Sequence, residues 1–398
     1  MRALIHVEDA VAAISATHAP AAADTVALPD AVGRFLAQSV LAEGPQPPFD
    51  RVMMDGVATR WQPQMPGVLR IAGAQMAGML GQALDAADSC IEVSTGAALP
   101  DGCDCIVPIE QLRRTAEGYA LRDTATPAAG QFIHRRGSDC AAGTTVLNAG
   151  TRIDAPQMAL LAANGVAQVK VARPPSVAIV ATGDELVAVD APLPPGRIRR
   201  SNDLALMAAL QSAGLGRASL NHLADDPAVL TGALSRLLET HDTLVLSGGV
   251  SMGQRDYLPT TLESLGVQCR FHGIAQRPGK PMWFGIGPAG QRVFALPGNP
   301  VSSLVCLIRY VRPALLAAMG TVIDAPEHVR LATALPPFTL AQFIPVRLGR
   351  DAHGETVANP VGSRNSGDFT ALAGTAGVVE LAAGAGADAG RRLPLHRW

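Results

Sequence analysis

The residues best suited to chemistry stand in short glycine-containing segments that follow runs of apolar residues. The first run ends in Thr-Gly-Asp-Glu, which brings Glu185 close to the end of a predicted strand. The second ends in a segment that combines glycines, serines and a carboxylate: Ser247, Gly248, Gly249, Ser251 and Asp256. Glycines let backbone N–H groups approach an anion closely, and a carboxylate there can face a metal ion on that anion. Taken singly, a helix-capping acid and a tight turn remain alternatives.

The third segment follows another apolar run and predicts the start of a helix. It reads Pro297-Gly298-Asn299-Pro300, with Ser302 two residues further on. Asn299 suits the N-cap and Pro300 the first helical position, which places Ser302 in the first turn. The free N–H groups of that turn and the serine hydroxyl would offer an anion site at the positive end of the helix dipole. An ordinary well-capped helix is the alternative.

Two cations stand three residues apart in the segment Arg277-Pro-Gly-Lys280-Pro. Two prolines stiffen this segment and a glycine turns it, so the two charges are held close together. Fixed cations in a cleft suit a small oxyanion or a phosphate, and a solvated basic turn is the alternative. Asp226 precedes Pro227 and a predicted helix, so it either caps that helix or helps to hold Mg²⁺.

The elements that must position these groups alternate between apolar strands and helices over residues 174–321. Continuous apolar runs at 176–181, 243–246 and 292–296 each lead into a polar loop and then a helical pattern. This rhythm predicts an α/β, doubly wound, mostly parallel sheet covered on both faces. Since parallel strands end at one edge, the loops after them should converge on one ligand crevice.

The remaining sequence predicts three further regions around that α/β domain. Short strands separated by glycine and proline indicate a β-rich domain over 45–141, and residues 322–398 predict a C-terminal β domain. Residues 1–44 together with 142–173 form a linking N-terminal region. Helices are predicted within it at 7–16, at 29–37 and at 155–163, the last ending at Asn164-Gly165.

Composition excludes several classes of protein. The chain has 398 residues, 48% of them hydrophobic, and a net charge of −2, so no charge excess favours nucleic acid or a membrane surface. No apolar run approaches the roughly 18 residues of a membrane span. The six cysteines follow no framework, which favours reduced thiols in a cytoplasmic protein. Neither a phosphate-binding GxxxxGK[ST] motif nor a GxGxxG motif occurs, which argues against generic nucleotide hydrolysis and dinucleotide binding.

Taken in order, the segments resemble the molybdopterin molybdenumtransferase family, which includes the insertase domain of gephyrin. The matching motifs span residues 47–303 and read PPFD and MDGVA, STGAALPDGCDCIVPIE, RRGSD, TGDEL, SNDLALMAALQSAG, SGGVSMGQRDY, RPGKP and LPGNPVSS. The resemblance implies a cytoplasmic homodimer that inserts molybdate into adenylylated molybdopterin with Mg²⁺ and releases AMP. An upstream molybdopterin adenylyltransferase and a recipient molybdoenzyme or its chaperone would be its partners.

The resemblance also implies roles for individual residues. The oxyanion would be held by Arg277, Lys280, Ser302 and, from the C-terminal region, by Arg347 and Ser366. The pterin–phosphate and metal site would include Glu185, Asp226 and Asp256. The β-rich domain, of the other subunit, would contribute Asp55, Thr95 and Asp139.

Three positions depart from the family pattern. Arg277 stands where the family usually has lysine, Val57 replaces an aromatic residue, and His134 occupies a position that is often arginine. The departures leave open a preference for tungstate, a weakened catalyst, or a non-catalytic cofactor carrier or scaffold that serves one molybdoenzyme. An adenylyltransferase acting one step earlier is a further alternative, against which the additional β domains speak.

Overall fold

The computed structural model describes residues 4–17, 21–216, 218–250, 257–322, 325–362 and 368–398. The chain forms two compact units. One consists of Met1–Gln38, Ala149–Asp154 and Gln168–Trp398, and the other of Ser39–Asn148 and Ala155–Ala167. The six cysteines all lie within the described residues and form no disulfide bonds.

Six α-helices are described: α1 (Val7–Ser15), α2 (Ala155–Ala163), α3 (Asn202–Ser212), α4 (Pro227–Thr240), α5 (Leu258–Ser264) and α6 (Pro300–Ala318). Short 3-10 helices cover Leu28–Ala31, Ile109–Gln111 and Phe369–Leu372. Helix α6 contains a π-helical stretch, Leu307–Val311, between two α-helical parts. It is the one described helix that is long and apolar enough to cross a membrane, but 67% of its apolar window is buried inside the protein, which is typical of a core helix.

Twenty-six strands are described, in chain order: β1 (Ala23–Ala27), β2 (Val40–Leu41), β3 (Arg51–Val52), β4 (Gly56–Thr59), β5 (Leu69–Gln75), β6 (Ser89–Val93), β7 (Cys105–Pro108), β8 (Leu112–Arg114), β9 (Gly118–Leu121), β10 (Ile133–His134), β11 (Thr145–Leu147), β12 (Gln168–Ala172), β13 (Val177–Thr182), β14 (Leu186–Val187), β15 (Ile198–Arg199), β16 (Ser219–Leu223), β17 (Thr243–Ser247), β18 (Gln268–His272), β19 (Gln276–Arg277), β20 (Trp283–Ile286), β21 (Arg292–Leu296), β22 (Glu327–Leu331), β23 (Ala341–Arg350), β24 (Thr356–Pro360), β25 (Gly377–Leu381) and β26 (Arg392–Arg397).

The central sheet of the first unit has the order β16-β13-β17-β21-β20-β18. The first four strands are parallel, and β20 and β18 are antiparallel additions, so the sheet is mixed. Strands β13, β17 and β21 are completely buried because helices cover both faces. On one face Ile179 and Val245 pack into the core with α3 and α6, and on the other Val180 and Leu246 pack with α4 and α5. This is the α/β architecture that the apolar runs predict.

A second sheet in this unit contains the C-terminal strands, in the order β19-β23-β24-β22-β26-β25, with β23 also pairing with β25. The additional pairing closes the C-terminal strands around a small apolar core. Strand β19 is only two residues long and pairs with the first residues of β23, Gln276 with Ala341 and Arg277 with Gln342. The segment that carries Arg277 is therefore hydrogen-bonded to the C-terminal sheet.

The second unit is built mainly of strands. Its six-stranded sheet has the order β7-β4-β6-β5-β9-β8, and two short pairs, β10-β3 and β11-β2, complete it. Helix α2 belongs to this unit and ends as predicted, because Gly165 adopts a φ of +70° and its N–H bonds back to Ala162 O at 3.0 Å.

One local prediction is wrong and another is right only in part. No α-helix covers residues 29–37: a 3-10 helix ends at Ala31, Gly33 has a φ of +74°, and Leu36 N donates to Thr151 O at 2.9 Å. The glycine ends the turn and the following residues pair with other strands. The sequence also places Leu204, Met207 and Leu210 on one apolar stripe of α3, of which Leu210 is buried and Met207 is partly buried against the core. Leu204 is exposed, and the helix is apolar nearly all round, so periodicity alone does not identify its inner side.

Candidate functional site

Three strand-end loops of the central sheet lie at one edge. The registers pair Ala181 with Ser247 and Ser247 with Leu296, so β13, β17 and β21 end side by side. Beyond the strands, Gly248 N donates to Leu296 O at 3.2 Å. A Cβ atom on Gly298 would lie 3.6 Å from Gly248 Cα, so the second and third loops are in direct contact. The structure thus brings Ser247, Gly248, Gly249, Pro297 and Gly298 together.

Gly248 and Gly249 hold backbone conformations that other residues rarely adopt. Their φ angles are +104° and +65°. A Cβ on Gly248 would lie 2.7 Å from Thr182 O, so this position also needs glycine for space. The hydroxyl of Thr182 is buried without a hydrogen-bond partner among the described residues. The first and second loops are therefore packed backbone against backbone.

Asn202 ties the loops together. Its Nδ2 donates to Ser247 Oγ and to Gly298 O, both at 2.8 Å. In the sequence this residue appears only within the matching motif SNDLALMAALQSAG, without a role of its own, and Ser201 is the N-cap of α3. Nothing local predicts the contacts, because the partners lie 45 and 96 residues away in the sequence. Asn202 is thus a positioning residue that sequence reasoning does not identify.

Helix α6 begins as the sequence predicts. Asn299 is its N-cap, Pro300 is its first residue, and Ser303 N donates to Asn299 O at 2.9 Å. Ser302 lies in the first turn, and its side chain is 3% exposed. The neighbouring Ser303 hydroxyl donates to Pro297 O, which holds the third loop on the helix.

Arg277 and Lys280 lie on one short loop and both are exposed. Ile274 N donates to Lys280 O at 2.8 Å, which closes the loop. The Arg277 guanidinium lies over the Phe338 ring at 5.4 Å, and neither cation forms an ion pair within the part of the chain that the structure describes. Because these two cations form no ion pair among the described residues, they are available to an anion.

The loop that carries Arg277 and Lys280, called the cation loop below, is linked through β18 to the second strand-end loop, which follows β17. At the end of β18, His272 Nε2 lies 3.2 Å from Val250 O, within hydrogen-bond distance. Val250 follows Gly249, and His272 is followed by the segment that contains Arg277 and Lys280. The rest of the glycine-rich turn, including Ser251 and Asp256, lies outside the described residues.

Glu185 and Asp226 are carboxylates at the same edge of the sheet. Glu185 is exposed. Asp226 caps α4, where its Oδ1 accepts hydrogen bonds from Ala228 N and Val229 N at 2.9 Å. The capping interpretation is therefore correct, and the predicted metal role stays a prediction. Among the described residues no group of three His, Cys, Asp or Glu side chains is arranged to hold a metal ion, and Asp256 is outside them.

Arg347 is placed by the C-terminal sheet. It is exposed on β23, and its Nη2 donates to Ala373 O at 3.1 Å. The bond holds the guanidinium against the segment before β25. Ser366, the other C-terminal residue assigned to the oxyanion, lies outside the described residues, so its role stays a prediction.

The second unit contains the other three predicted site residues. Asp55 Oδ1 accepts from Thr95 N at 2.6 Å and from Thr95 Oγ1 at 2.9 Å, and these two hydrogen bonds lower the pKa of the aspartate. Asp139 Oδ1 lies 2.6 Å from His134 Nε2, so the histidine that departs from the family pattern is an ion-pair partner when protonated. Val57 is fully buried in β4. The unit thus brings Asp55 and Thr95 together as an exposed, charged group.

Comparisons with known proteins agree with this architecture. Residues 5–165 match the MoeA N-terminal region (domain I and II), residues 178–317 a probable molybdopterin binding domain, and residues 328–397 the MoeA C-terminal region (domain IV). A molybdopterin molybdenumtransferase of Synechocystis is 37% identical over 99% of this chain and 100% of its own length. A Mycobacterium tuberculosis protein named molybdopterin molybdenumtransferase 2 is 36% identical over 74% of this chain and 75% of its own.

Solved structures give the same result. Two molybdopterin biosynthesis MoeA proteins of Pyrococcus horikoshii superpose with TM-scores of 0.82 and 0.83, at 29% and 25% identity. They cover 99% and 98% of this chain and 99% of each neighbour.

The mixed sheet with glycine-rich strand ends, together with the β-rich regions before and after it in the sequence, therefore defines a MoeA-like protein whose residues 178–317 match a probable molybdopterin binding domain. The chain belongs to the molybdopterin molybdenumtransferase family, a family of enzymes in molybdenum-cofactor biosynthesis.

Proposed function

We propose that this protein inserts molybdate into adenylylated molybdopterin and releases AMP in a Mg²⁺-dependent reaction in the cytoplasm. The observation that carries the proposal is the loop of Arg277 and Lys280, whose two exposed cations have no carboxylate partner among the described residues. This loop is linked through His272 to the glycine-rich edge of a molybdopterin-binding domain. Fixed cations beside a pterin site fit the delivery of an oxyanion.

The oxyanion is bound by charge and position. Molybdate carries two negative charges, and a guanidinium together with an ammonium can neutralise it and orient it towards the dithiolene sulfurs. Arg277 would supply planar donors and Lys280 a compact charge. Arg347, Ser302 and Ser366 complete the proposed set, with Ser302 acting at the start of α6.

The strand-end loops would hold the pterin and its phosphates. Ser247 and Ser251 would offer hydroxyls, Gly249 would offer a backbone N–H group, and Gly248 and Gly298 keep the two loops in direct contact. Backbone N–H groups at such turns and at the start of α6 stabilise phosphate oxygens. The protein would need no nucleophile of its own, because holding the reacting groups in line supplies the rate.

Mg²⁺ would be held by Glu185, Asp226 and Asp256. The donor set fits this ion, which prefers carboxylate and phosphate oxygens. Among the described residues Glu185 is exposed, and only Oδ1 of Asp226 takes part in hydrogen bonds, so carboxylate oxygens remain for an ion. When bound, the ion would neutralise the pyrophosphate link whose cleavage frees AMP.

The second unit would contribute Asp55, Thr95 and Asp139 to the site of the other subunit of a homodimer. The Asp55–Thr95 pair supports this role, since its hydrogen bonds keep the carboxylate ionised and oriented while it stays exposed. The upstream adenylyltransferase would supply the substrate, and a molybdoenzyme or its chaperone would accept the product.

The test is a reconstituted reaction. Pure protein is incubated with adenylylated molybdopterin, molybdate and Mg²⁺, and AMP and finished cofactor are measured. We expect both products, their loss on chelation of Mg²⁺, and a reduced Mg²⁺ response in Asp256→Asn. Tight cofactor binding without AMP, while a relative such as the Synechocystis protein turns over, would instead identify a carrier. Parallel reactions with tungstate measure the metal preference.

A further inference from the structure

We propose that Gln276 and Tyr310 together position the loop that carries Arg277 and Lys280, and so set the affinity for the oxyanion. This inference rests on the proposed function for its ligand, but the contacts on which it depends are independent of that function. The carboxamide of Gln276 lies directly beneath the loop, and the phenol of Tyr310 holds that carboxamide from the core.

The Gln276 side chain bridges the loop and helix α6. Its Nε2 donates to Pro278 O at 2.9 Å and lies 3.8 Å from Cys306 Sγ, and its Oε1 accepts from the Tyr310 hydroxyl. Cys306 Sγ in turn lies 3.8 Å from Gly279 O. Gln276 is 0% exposed and Tyr310 is 2% exposed. The Gln276 carboxamide, the Tyr310 hydroxyl and the Cys306 thiol thus find their hydrogen-bond partners in one another and in the loop backbone.

The packing leaves this loop little freedom at the side facing Gln276. A Cβ atom on Gly279 would lie 2.5 Å from Gln276 Nε2 and 2.7 Å from Cys306 Sγ. The loop backbone therefore rests on the carboxamide and the thiol, and its height above the core depends on them. The cations at the loop ends point away from this support, since Arg277 and Lys280 are exposed while Gly279 is buried.

Tyr310 lies in the π-helical stretch of α6, Leu307–Val311. Such wider turns inside an α-helix are frequent at functional sites, because they change the direction of the side chains they carry. Burial raises the pKa of the Tyr310 hydroxyl, so it stays protonated and donates to Gln276. A donor fixed on the core helix thereby orients the carboxamide so that its Nε2 faces the loop.

A buried amide that loses its partner is free to rotate, or leaves a polar group unsatisfied. Tyr310→Phe removes the donor and keeps the ring, whereas Gln276→Met keeps the side-chain length and removes both hydrogen bonds. Either change should loosen the loop. We expect molybdate to bind about 10-fold more weakly, because small misplacements of binding groups cost this order of affinity.

The experiment uses the full chain and two measurements. Hydrogen exchange reports the amides of Ile274 and Met282, which donate to Lys280 O and Gly279 O across the loop. Calorimetric titration with molybdate reports anion affinity. The control variant is Tyr119→Phe, which also removes a tyrosine hydroxyl bonded to two side chains, but in the β-rich second unit.

We expect faster exchange confined to residues 274–282 and about 10-fold weaker molybdate binding in both variants, with neither change in the control. In turnover, the half-saturating molybdate concentration should rise by the same factor, and that for adenylylated molybdopterin should not. The double variant should be no worse than the single ones, since the two residues act as one unit.

The inference is overturned if hydrogen exchange in the loop is unchanged, or if it rises throughout the first unit. It is also overturned if exchange in the loop becomes faster while the affinity for molybdate stays the same. If the unmodified protein binds no molybdate, the proposed function fails instead. Hydrogen exchange then decides the positioning role alone, with faster exchange in 274–282 supporting it and unchanged exchange refuting it.

Discussion

Substituting Gly248 by alanine tests the packing of the strand-end loops. Gly248 has a φ of +104°, which alanine rarely adopts, and the added Cβ would lie 2.7 Å from the carbonyl oxygen of Thr182 and 2.8 Å from its hydroxyl. The carbonyl belongs to the end of buried strand β13 and has little room to move. Alanine at this position must therefore shift the backbone of one loop or the other.

The expected cost follows from these two conflicts. A non-glycine residue in a disfavoured backbone region costs about 1–3 kcal/mol, and crowding against a fixed backbone atom adds about 1 kcal/mol or more. We therefore expect Gly248→Ala to lower the free energy of unfolding by roughly 2–4 kcal/mol. At about 2–4 °C per kcal/mol for a unit of this size, the melting temperature of the unit that contains Gly248 should fall by roughly 4–16 °C.

Gly298→Ala is the matched control, because it lies in the loop that Gly248 touches. Its Cβ would meet only Gly248 Cα, at the ordinary contact distance of 3.6 Å. Calorimetric melting of both variants should show a large shift for position 248 and about 1 kcal/mol or less for position 298. A normal melting temperature for Gly248→Ala, or equal losses at both positions, would refute the packing described for these loops.

Three further changes have defined outcomes. Lys280→Ala should raise the molybdate concentration needed for AMP release about 10-fold or more, with less effect on pterin binding. Titration of both ligands will show this, and the control Lys170→Ala should leave both values unchanged. Asn202→Ala should reduce turnover about 10-fold by releasing the loops it joins, and full activity in a folded variant would contradict that role. Burial would raise the pKa of Glu380, but its hydrogen bonds with a histidine and an arginine outweigh burial and lower it. Glu380→Gln should thus cost about 3 kcal/mol near neutral pH, and the difference from the unmodified protein should shrink as pH falls below the ordinary carboxyl range; Glu327→Gln, in an exposed pair, should cost about 1 kcal/mol or less in the same denaturation series.

The parts of the fold that the sequence predicts are those set by local pattern. Continuous apolar runs give buried strands, and Asn299-Pro300 gives the start of α6, because both depend on neighbouring residues. The helix predicted at 29–37 fails because Gly33 and hydrogen bonds to distant strands decide that segment. The helix propensity of this segment is outweighed by its hydrogen bonds to residues far away in the sequence, which a short stretch of sequence does not include.

The functional site likewise has features that the sequence predicts and features that it does not. Glycine-rich strand ends reveal the crevice, since parallel strands must end together. The positioning roles of Asn202 and Gln276 cannot be predicted, because the value of each amide depends on hydrogen-bond partners that only the fold supplies. Asp226 shows the opposite case, since a capping residue and a metal ligand look alike in sequence.

Binding of the oxyanion by the cation loop can be measured directly on this chain. Lys280 and Lys170 are its 2 lysines, and both are exposed. An amine-selective reagent will label both, and mass spectrometry will follow the rate at each. Molybdate with Mg²⁺ should slow the labelling of Lys280 several-fold while Lys170 reacts as before, compared with chloride at equal ionic strength. An unchanged ratio of the two rates at saturating molybdate would contradict oxyanion binding by the cation loop.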